Sequence, residues 1–272
     1  MNTKEALLPP TRFINWILGK PALALLALLH IKPDNPQFPI PNYLAMEVIL
    51  FLILGIFFVW LKARISADRP GATQQTMEML LTNPMGVGVK DLIDDIVGHG
   101  GDRHVAMMGT IGIFILGSNL MSLVPVFMSP TAVDVVPLGC ATVVFIYYNM
   151  FGIGHHGGVG YAKTLLGPLP AISPVMFIVE TISHFARILS LTVRLWANMM
   201  VSELIYLTFL ALTMGLFTFL GSKTLFGYIS GIIPVGIPLA LSFFHIFEAL
   251  LQAFIFVILS IIYLGVAVSE EH

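Results

Sequence analysis

Residues 175–214 read VMFIVETISHFARILSLTVRLWANMMVSELIYLTFLALTM, forty positions without a glycine or a proline. Glycine and proline are the residues that end a helix, so nothing in the local chemistry stops one here. At about 1.5 Å per residue the helix is about 60 Å long, roughly twice the hydrocarbon thickness of a bilayer. It cannot stand upright. With no breaker to divide it, it is expected to lie steeply tilted, well beyond the roughly 20° of ordinary spans. The segment 215–238 holds Gly215, Gly221, Gly227, Gly231, Pro234, Gly236 and Pro238 and is expected to reverse the chain. A second run, 239–268, free of breakers as far as Leu264, then makes the returning arm of a hairpin.

The rest of the chain agrees with a lipid environment. Of its 272 residues, 57% are hydrophobic and 10% charged, against roughly 45–50% and 25% in soluble domains. Mean hydropathy is +0.91. The net charge of −2 offers no polybasic surface, which excludes nucleic acid as a partner. The single cysteine, Cys140, sits in an apolar run and cannot form an internal disulfide. Residues 43–61 form an apolar span closed by Lys62, Arg64 and Arg69, and 105–152 holds two more spans joined by SPTAVD. Val89, Leu92, Ile93, Ile96 and Val97 recur at helical spacing opposite Lys90, Asp91, Asp94 and Asp95, which makes 73–98 an amphipathic segment along the membrane surface. Residues 1–42 read as an interfacial segment, since the apolar run at 21–29 is too short to cross. The expected fold is one all-α polytopic membrane domain over 1–272: about three conventional spans, one amphipathic surface helix, and a hairpin of long tilted helices at 175–214 and 239–268. Orientation is weakly marked, with six Lys and Arg on the side of residues 62–104 against five opposite.

Ionisable groups at bilayer depth cost about 2.5–3.5 kcal/mol each or more, so they mark pathways or paired sites. The two long helices carry Glu180, His184, Arg187, Arg194, Glu203, His245 and Glu248. At about 100° per residue, Glu180, Ser183, His184, Arg187, Ser190, Arg194 and Asn198 fall within about 60° of one meridian. Glu203 falls about 180° from Arg194 and must look at another neighbour. His245, Glu248 and Gln252 share a face on the returning helix, and Glu203 is expected to meet them across the hairpin. Glu180, His184 and Arg187, at i, i+4, i+7, read either as part of a pathway or as an internal ion pair locking helices together. Two polar tracks separated by a lone arginine are the pattern of an ion relay with a barrier in its middle. Arginine suits the barrier because its pKa above 12 keeps it charged where lysine or histidine sheds a proton. No acid sits at a suitable spacing within its helix, which places the facing carboxylate on another chain.

These residues resemble subunit a of the F-type ATP synthase, the stator of the membrane motor. The resemblance is carried by SLTVRLWANMMVSELI at 190–205, by PVMFIVETIS before it, by FHIFEALLQAFIFVILSIIYL on the return helix, by PTAVD, the GGVGYAK loop and the terminal SEEH, and it covers roughly residues 40–272. It implies that Arg194 faces a rotating ring of c subunits and separates two aqueous half-channels. It implies that Asn198, Glu203, His245 and Gln252 line the outer half-channel, with Glu248 a further acid beside it. Glu180, Ser183 and Ser190 then line the inner one, with His184 on the same face and Arg187 where the family has another basic residue. The implied partners are the c-ring, the b subunits of the peripheral stalk, the rest of the F1Fo complex and the lipid of a bacterial inner membrane, crossed several times. No cofactor or metal is implied, and nucleotide chemistry belongs to another subunit. The chain departs from the family in carrying Ser122 where an acid often stands, in Glu47 about one turn beyond the usual acid of the first span, and in PTAVDVV, which lacks an asparagine after its aspartate.

Other motifs carry little. GIGHHG at 152–157 matches GxGxxG but follows a helix-length apolar run, not a strand. HExxH is absent, the adjacent His155 and His156 cannot share one helical face, and GSKT at 221–224 lacks the ending of a phosphate loop. The alternative function, a self-contained proton-coupled transporter, calls for inverted repeats and broken helices. Neither is evident in the sequence.

Overall fold

The computed structural model describes residues 7–28, 30, 32, 37–66, 70–83, 86–98, 100–124, 126–164, 173–220 and 225–268, and at 162–164, 216–220 and 225–238 the backbone alone. Of the described residues 85% are helical, and none lies in a strand. Its α-helices are α1 (Pro9–Leu28), α2 (Asn42–Arg64), α3 (Ala72–Leu81), α4 (Val89–Ile96), α5 (Asp102–Met121), α6 (Val135–His156), α7 (Gly158–Thr164), α8 (Ser173–Leu220) and α9 (Leu225–Val268). Five described helices, α2, α5, α6, α8 and α9, are long and apolar enough to cross a membrane. A helix satisfies every backbone hydrogen bond internally, which an element surrounded by hydrocarbon must do.

α8 runs 48 residues and α9 runs 44, about 72 and 66 Å at the helical rise. Both are longer than the breaker-free stretches. α9 begins at Leu225, so Gly227, Gly231, Pro234, Gly236 and Pro238 lie inside it, and the residues between the long helices, 221–224, fall outside the described ones. The reversal expected across 215–238 is therefore shorter than its glycines and prolines suggest. In hydrocarbon the helix has no solvated competitor, and a proline is accommodated there that would end a helix in water. The expected surface segment 73–98 is two helices, α3 and α4. Asp91 Oδ2 accepts from the backbone N–H of Asn83 at 2.6 Å, and Gly86 takes φ 71°, a left-handed turn that favours glycine. Ile93 on α4 is fully buried, while Lys90 pairs with Asp102 at 3.2 Å. α6 starts on a cap, Asp134 Oδ1 accepting from the N–H of Val135 at 2.9 Å, and ends at Gly157 with φ 72°.

The chain gathers into two compact units, one of Met1–Ile56, Gly117–Val133 and Asn198–Ala249, the other of Phe57–Leu116, Asp134–Ala197 and Leu250–His272. In the first, α1 is fixed to the start of α2. The Asn15 side chain donates to the carbonyl of Ile40 at 2.9 Å and accepts from its N–H at 3.0 Å, over the apolar contact of Ile14, Ile40 and Ala45. In the second, close helix packing leaves room for hydrogen only. A Cβ at Gly112 would lie 2.8 Å from Val257 Cγ2, and one at Gly265 2.6 Å from Ile96 Cγ2. Such contacts recover in van der Waals attraction what the hydrophobic effect does not supply between helices in lipid.

Candidate functional site: two polar clusters and an unpaired arginine

The membrane-depth polar residues fall into separate groups. In the second unit, α8 presents Glu180, Ser183, His184, Arg187, Ser190 and Arg194 along one side, as the helical period requires. Glu180 Oε1 lies 3.6 Å from His184 Nε2 and 3.5 Å from Arg187 Nη2. His184 Nδ1 meets the Tyr148 hydroxyl of α6 at 3.2 Å, and the Arg187 guanidinium stands 5.2 Å from the Tyr263 ring of α9. Beside this cluster, Tyr161 on α7 donates to Asn149 Oδ1 at 2.9 Å. Burial pushes the Tyr161 hydroxyl above its ordinary pKa. Glu180 thus faces two potential cations, although its side chain is still 34% exposed. Ser183 is half-buried and Ser190 exposed.

Arg194 differs from Arg187. It donates to Ser190 Oγ, one helical turn back along the stripe and 3.5 Å away, and among the described residues no carboxylate lies within ion-pair distance. The residue is half-buried, with Leu195 next to it fully buried and Val193 46% exposed, so the guanidinium sits at the margin of the packed side of α8. A permanently charged group in an apolar helix, with no counter-ion among the described residues, is costly unless something else pairs it.

In the first unit, His245 of α9 is 4% exposed and bonded at both nitrogens. Nδ1 meets Ser202 Oγ of α8 at 2.7 Å, and Nε2 meets Ser122 Oγ, just past the end of α5, at 2.8 Å. The expected meeting of Glu203 with His245, Glu248 and Gln252 across the hairpin is not what the described contacts give. Ser202 takes the position beside His245, and Glu203, about 100° further round α8, is turned to the backbone of Ser129. Glu248, one turn beyond His245, is half-buried, as is Asn198, which starts this unit's portion of α8. Gln252 is 6% exposed within the other unit.

Sequence reasoning did not find the hydroxyl-rich surroundings of His245. Ser129 Oγ donates to the carbonyl of Ser118 at 3.0 Å and contacts Thr131 Oγ1 at 2.7 Å, and Thr131 Oγ1 donates to Asn119 Oδ1. Ser118, Asn119 and Thr131 are fully buried. The available signal was the density of small polar residues in SNLMS at 118–122 and SPT at 129–131, inside otherwise apolar sequence. Tyr148 and Tyr263, which flank the Glu180 cluster, carried no such signal, since tyrosines are common in spans.

Comparison with known proteins finds relatives over most of the chain. The family model described as ATP synthase A chain matches residues 44–265. The ATP synthase subunit a of Koribacter versatilis is 37% identical over 262 residues, covering 96% of this chain and 97% of the relative. That of Solibacter usitatus is 37% identical over 249 residues, 92% and 95% of the two chains, and that of Geotalea uraniireducens 34% identical over 248 residues, 91% and 94%.

Proposed function

Because the chain belongs to the ATP synthase A chain family, as the proton-channel stator subunit of an F-type ATP synthase, we propose that Arg194 is the barrier between two proton half-channels and faces a carboxylate of the c-ring. The single observation that carries this assignment is the unpaired guanidinium on α8. Its missing counter-ion is an acid presented by a neighbouring subunit. Asn198, Glu203, His245, Glu248 and Gln252 line the outer half-channel, and Glu180, Ser183, His184, Arg187 and Ser190 the inner one. The b subunits of the peripheral stalk hold this subunit against the rest of the complex, in a bacterial inner membrane.

The chemistry follows from electrostatics. A ring carboxylate crosses lipid only when protonated, because its charged form costs about 2.5–3.5 kcal/mol or more at mid-depth. Opposite Arg194 the balance reverses, since a cation within about 4–6 Å lowers a carboxyl pKa by about 1–3 units, worth about 1.4 kcal/mol per unit. The acid therefore releases its proton to the Glu180 side and is reprotonated from the Glu203 side. Arg194 also repels any cation that would pass straight through. Each proton falling through 100 mV yields about 2.3 kcal/mol, so several must pass for every nucleotide made, which a ring of repeated sites supplies.

The test is Arg194→Ala in the complete enzyme reconstituted into liposomes. Loss of ATP-driven pumping with passive proton leak retained supports the assignment. Coupled ATP synthesis at the wild-type rate refutes it. Arg194→Lys separates charge from its permanence: lysine sheds its proton when desolvated, and a loss above about tenfold is expected.

A further inference from the structure

The surroundings of His245 have a direction. Ser122 Oγ lies 3.1 Å from the carbonyl oxygen of Asn119, which can only accept, so the Ser122 hydroxyl proton points there. Its oxygen is then the acceptor for His245 Nε2, 2.8 Å away, and Nε2 also lies 3.3 Å from the same carbonyl. Both relations place the imidazole proton on Nε2. Nδ1 is therefore bare and accepts from the Ser202 hydroxyl at 2.7 Å. Ser202, His245, Ser122 and the Asn119 carbonyl form one chain in which every hydrogen bond is donated the same way, with no carboxylate bonded to the ring among the described residues. His245 is 4% and Ser122 5% exposed, so bulk water does not break the chain. Beside it, the Asn119 Nδ2 and Ser118 Oγ atoms are buried without a partner among the described residues. Buried donors of this kind hold internal water in folded proteins.

We infer that the Ser122 and Ser202 hydroxyls, with His245 between them, are a proton relay of the outer half-channel, discharging to a water held beside Asn119. This rests on the half-channel reading above and deepens it by naming two residues that reading does not use. In the forward step a proton arrives at Ser202 Oγ as the Ser202 O–H proton moves to His245 Nδ1. The Nε2–H bond breaks, its proton passes to Ser122 Oγ, and the original Ser122 proton turns from the Asn119 carbonyl to the water held beside Asn119 and leaves to it. One proton enters, one leaves, and no charge stays on the ring. The imidazole now carries its proton on Nδ1; passing it back through the chain would undo the transfer, so the reset is a turn of the ring together with rotation of both hydroxyls. The reverse sequence uses the same bonds. A neutral relay of this type suits a ring whose described hydrogen bonds go to two serine hydroxyls and a carbonyl and to neither Glu203 nor Glu248.

The experiment compares Thr with Val at each serine, because these side chains have nearly the same shape and differ by the hydroxyl. Ser122→Thr, Ser122→Val, Ser202→Thr and Ser202→Val are made in the complete enzyme, reconstituted into liposomes, and ATP-driven proton pumping is measured per assembled complex. The expected result is pumping within about threefold of wild type for both Thr variants and a loss of at least tenfold for both Val variants. Equal rates for Thr and Val at either position overturn the relay, since it needs both hydroxyls. A merely structural hydroxyl alters the yield of assembled complex and leaves the rate per complex unchanged, which also overturns it. Where a Val variant does not assemble, Ser→Ala at that position is read against Ser→Thr by the same criterion. Glu203→Gln and His245→Ala run in parallel. If they block pumping while the Val variants do not, the half-channel stands and the relay falls, and if they also pump normally the half-channel reading itself falls.

Discussion

Exchanging Glu180 for glutamine tests whether the α8 cluster conducts protons or only locks helices. The substitution keeps the shape and removes the charge that Arg187 and His184 face at 3.5 and 3.6 Å. Coulomb's law puts a pair at 3.5 Å at about 1.2 kcal/mol in bulk water and about 4.7 kcal/mol at an effective dielectric of 20. The Glu180 side chain is 34% exposed and Arg187 20%, and the contact is at the long limit of a hydrogen bond. Those facts place the pair near the lower bound, about 1–2 kcal/mol, well short of the 3–5 kcal/mol of a buried pair broken on one side. The assay is a double-mutant cycle of Glu180→Gln, Arg187→Gln and both together, read by thermal unfolding of the assembled membrane sector and by proton pumping per complex. The account expects a coupling energy of about 1–2 kcal/mol in stability. It also expects pumping reduced at least tenfold by Glu180→Gln and not restored in the double variant, because a proton path needs the acid and a lock needs only balanced charge. Pumping restored by the second substitution would show that Glu180 serves packing alone, and the inner half-channel as drawn would be wrong.

Three other outcomes follow from the packing. Gly152→Ala should destabilise by about 1–3 kcal/mol in thermal unfolding, because the added Cβ would meet Tyr161 Cε2 at 2.6 Å and the carbonyl of Ala267 at 3.0 Å, and the carbonyl cannot move aside. A shift below about 0.5 kcal/mol would show that α6 and α9 do not pack as closely as described. Tyr161→Phe removes the 2.9 Å bond to Asn149 and should cost about 1 kcal/mol, leaving an amide oxygen without its donor. Because burial raises the Tyr161 pKa above its ordinary 10.0, folding favours the neutral phenol. Its stabilising contribution is complete below that ordinary value and is lost as pH rises through the folded value, so Tyr161→Phe should flatten the alkaline limb of the stability curve, and an unchanged limb contradicts this.

Much of the fold was legible because lipid imposes strong rules. Length and apolarity alone set out α2, α5, α6 and the two long helices, and the absence of breakers between 175 and 214 announced α8. The start of α9 was hidden for a related reason: Gly227, Gly231, Pro234, Gly236 and Pro238 signal a turn in water, but helix remains the available state for a backbone in hydrocarbon. The division of 73–98 into α3 and α4 is marked in the sequence by the turn residues Asn83, Pro84 and Gly86, which the amphipathic period read over 89–97 does not reach. On the site, Arg194 and its stripe could be read because helical period fixes which residues share a face. The partners of His245 could not. A single residue step on α8, from 203 to 202, rotates the contact by about 100°, and period alone does not set the rotation of one helix against another. Nor could spacing along one helix show that a serine just past the end of α5 would reach the ring. The unbroken course of α8 and α9 also removes the feature that a self-contained transporter requires, short helices interrupted near mid-membrane.

The central claim is that Arg194, without an acid partner among the described residues, confronts an acid of the rotor. A density map of the intact enzyme in lipid, good enough to trace side chains, measures this directly. The account predicts the Arg194 guanidinium within about 6 Å of a ring carboxylate in at least one rotary position, with Glu180 still engaged by Arg187. A guanidinium folded back onto Glu180 or Glu203 in every rotary position would contradict it.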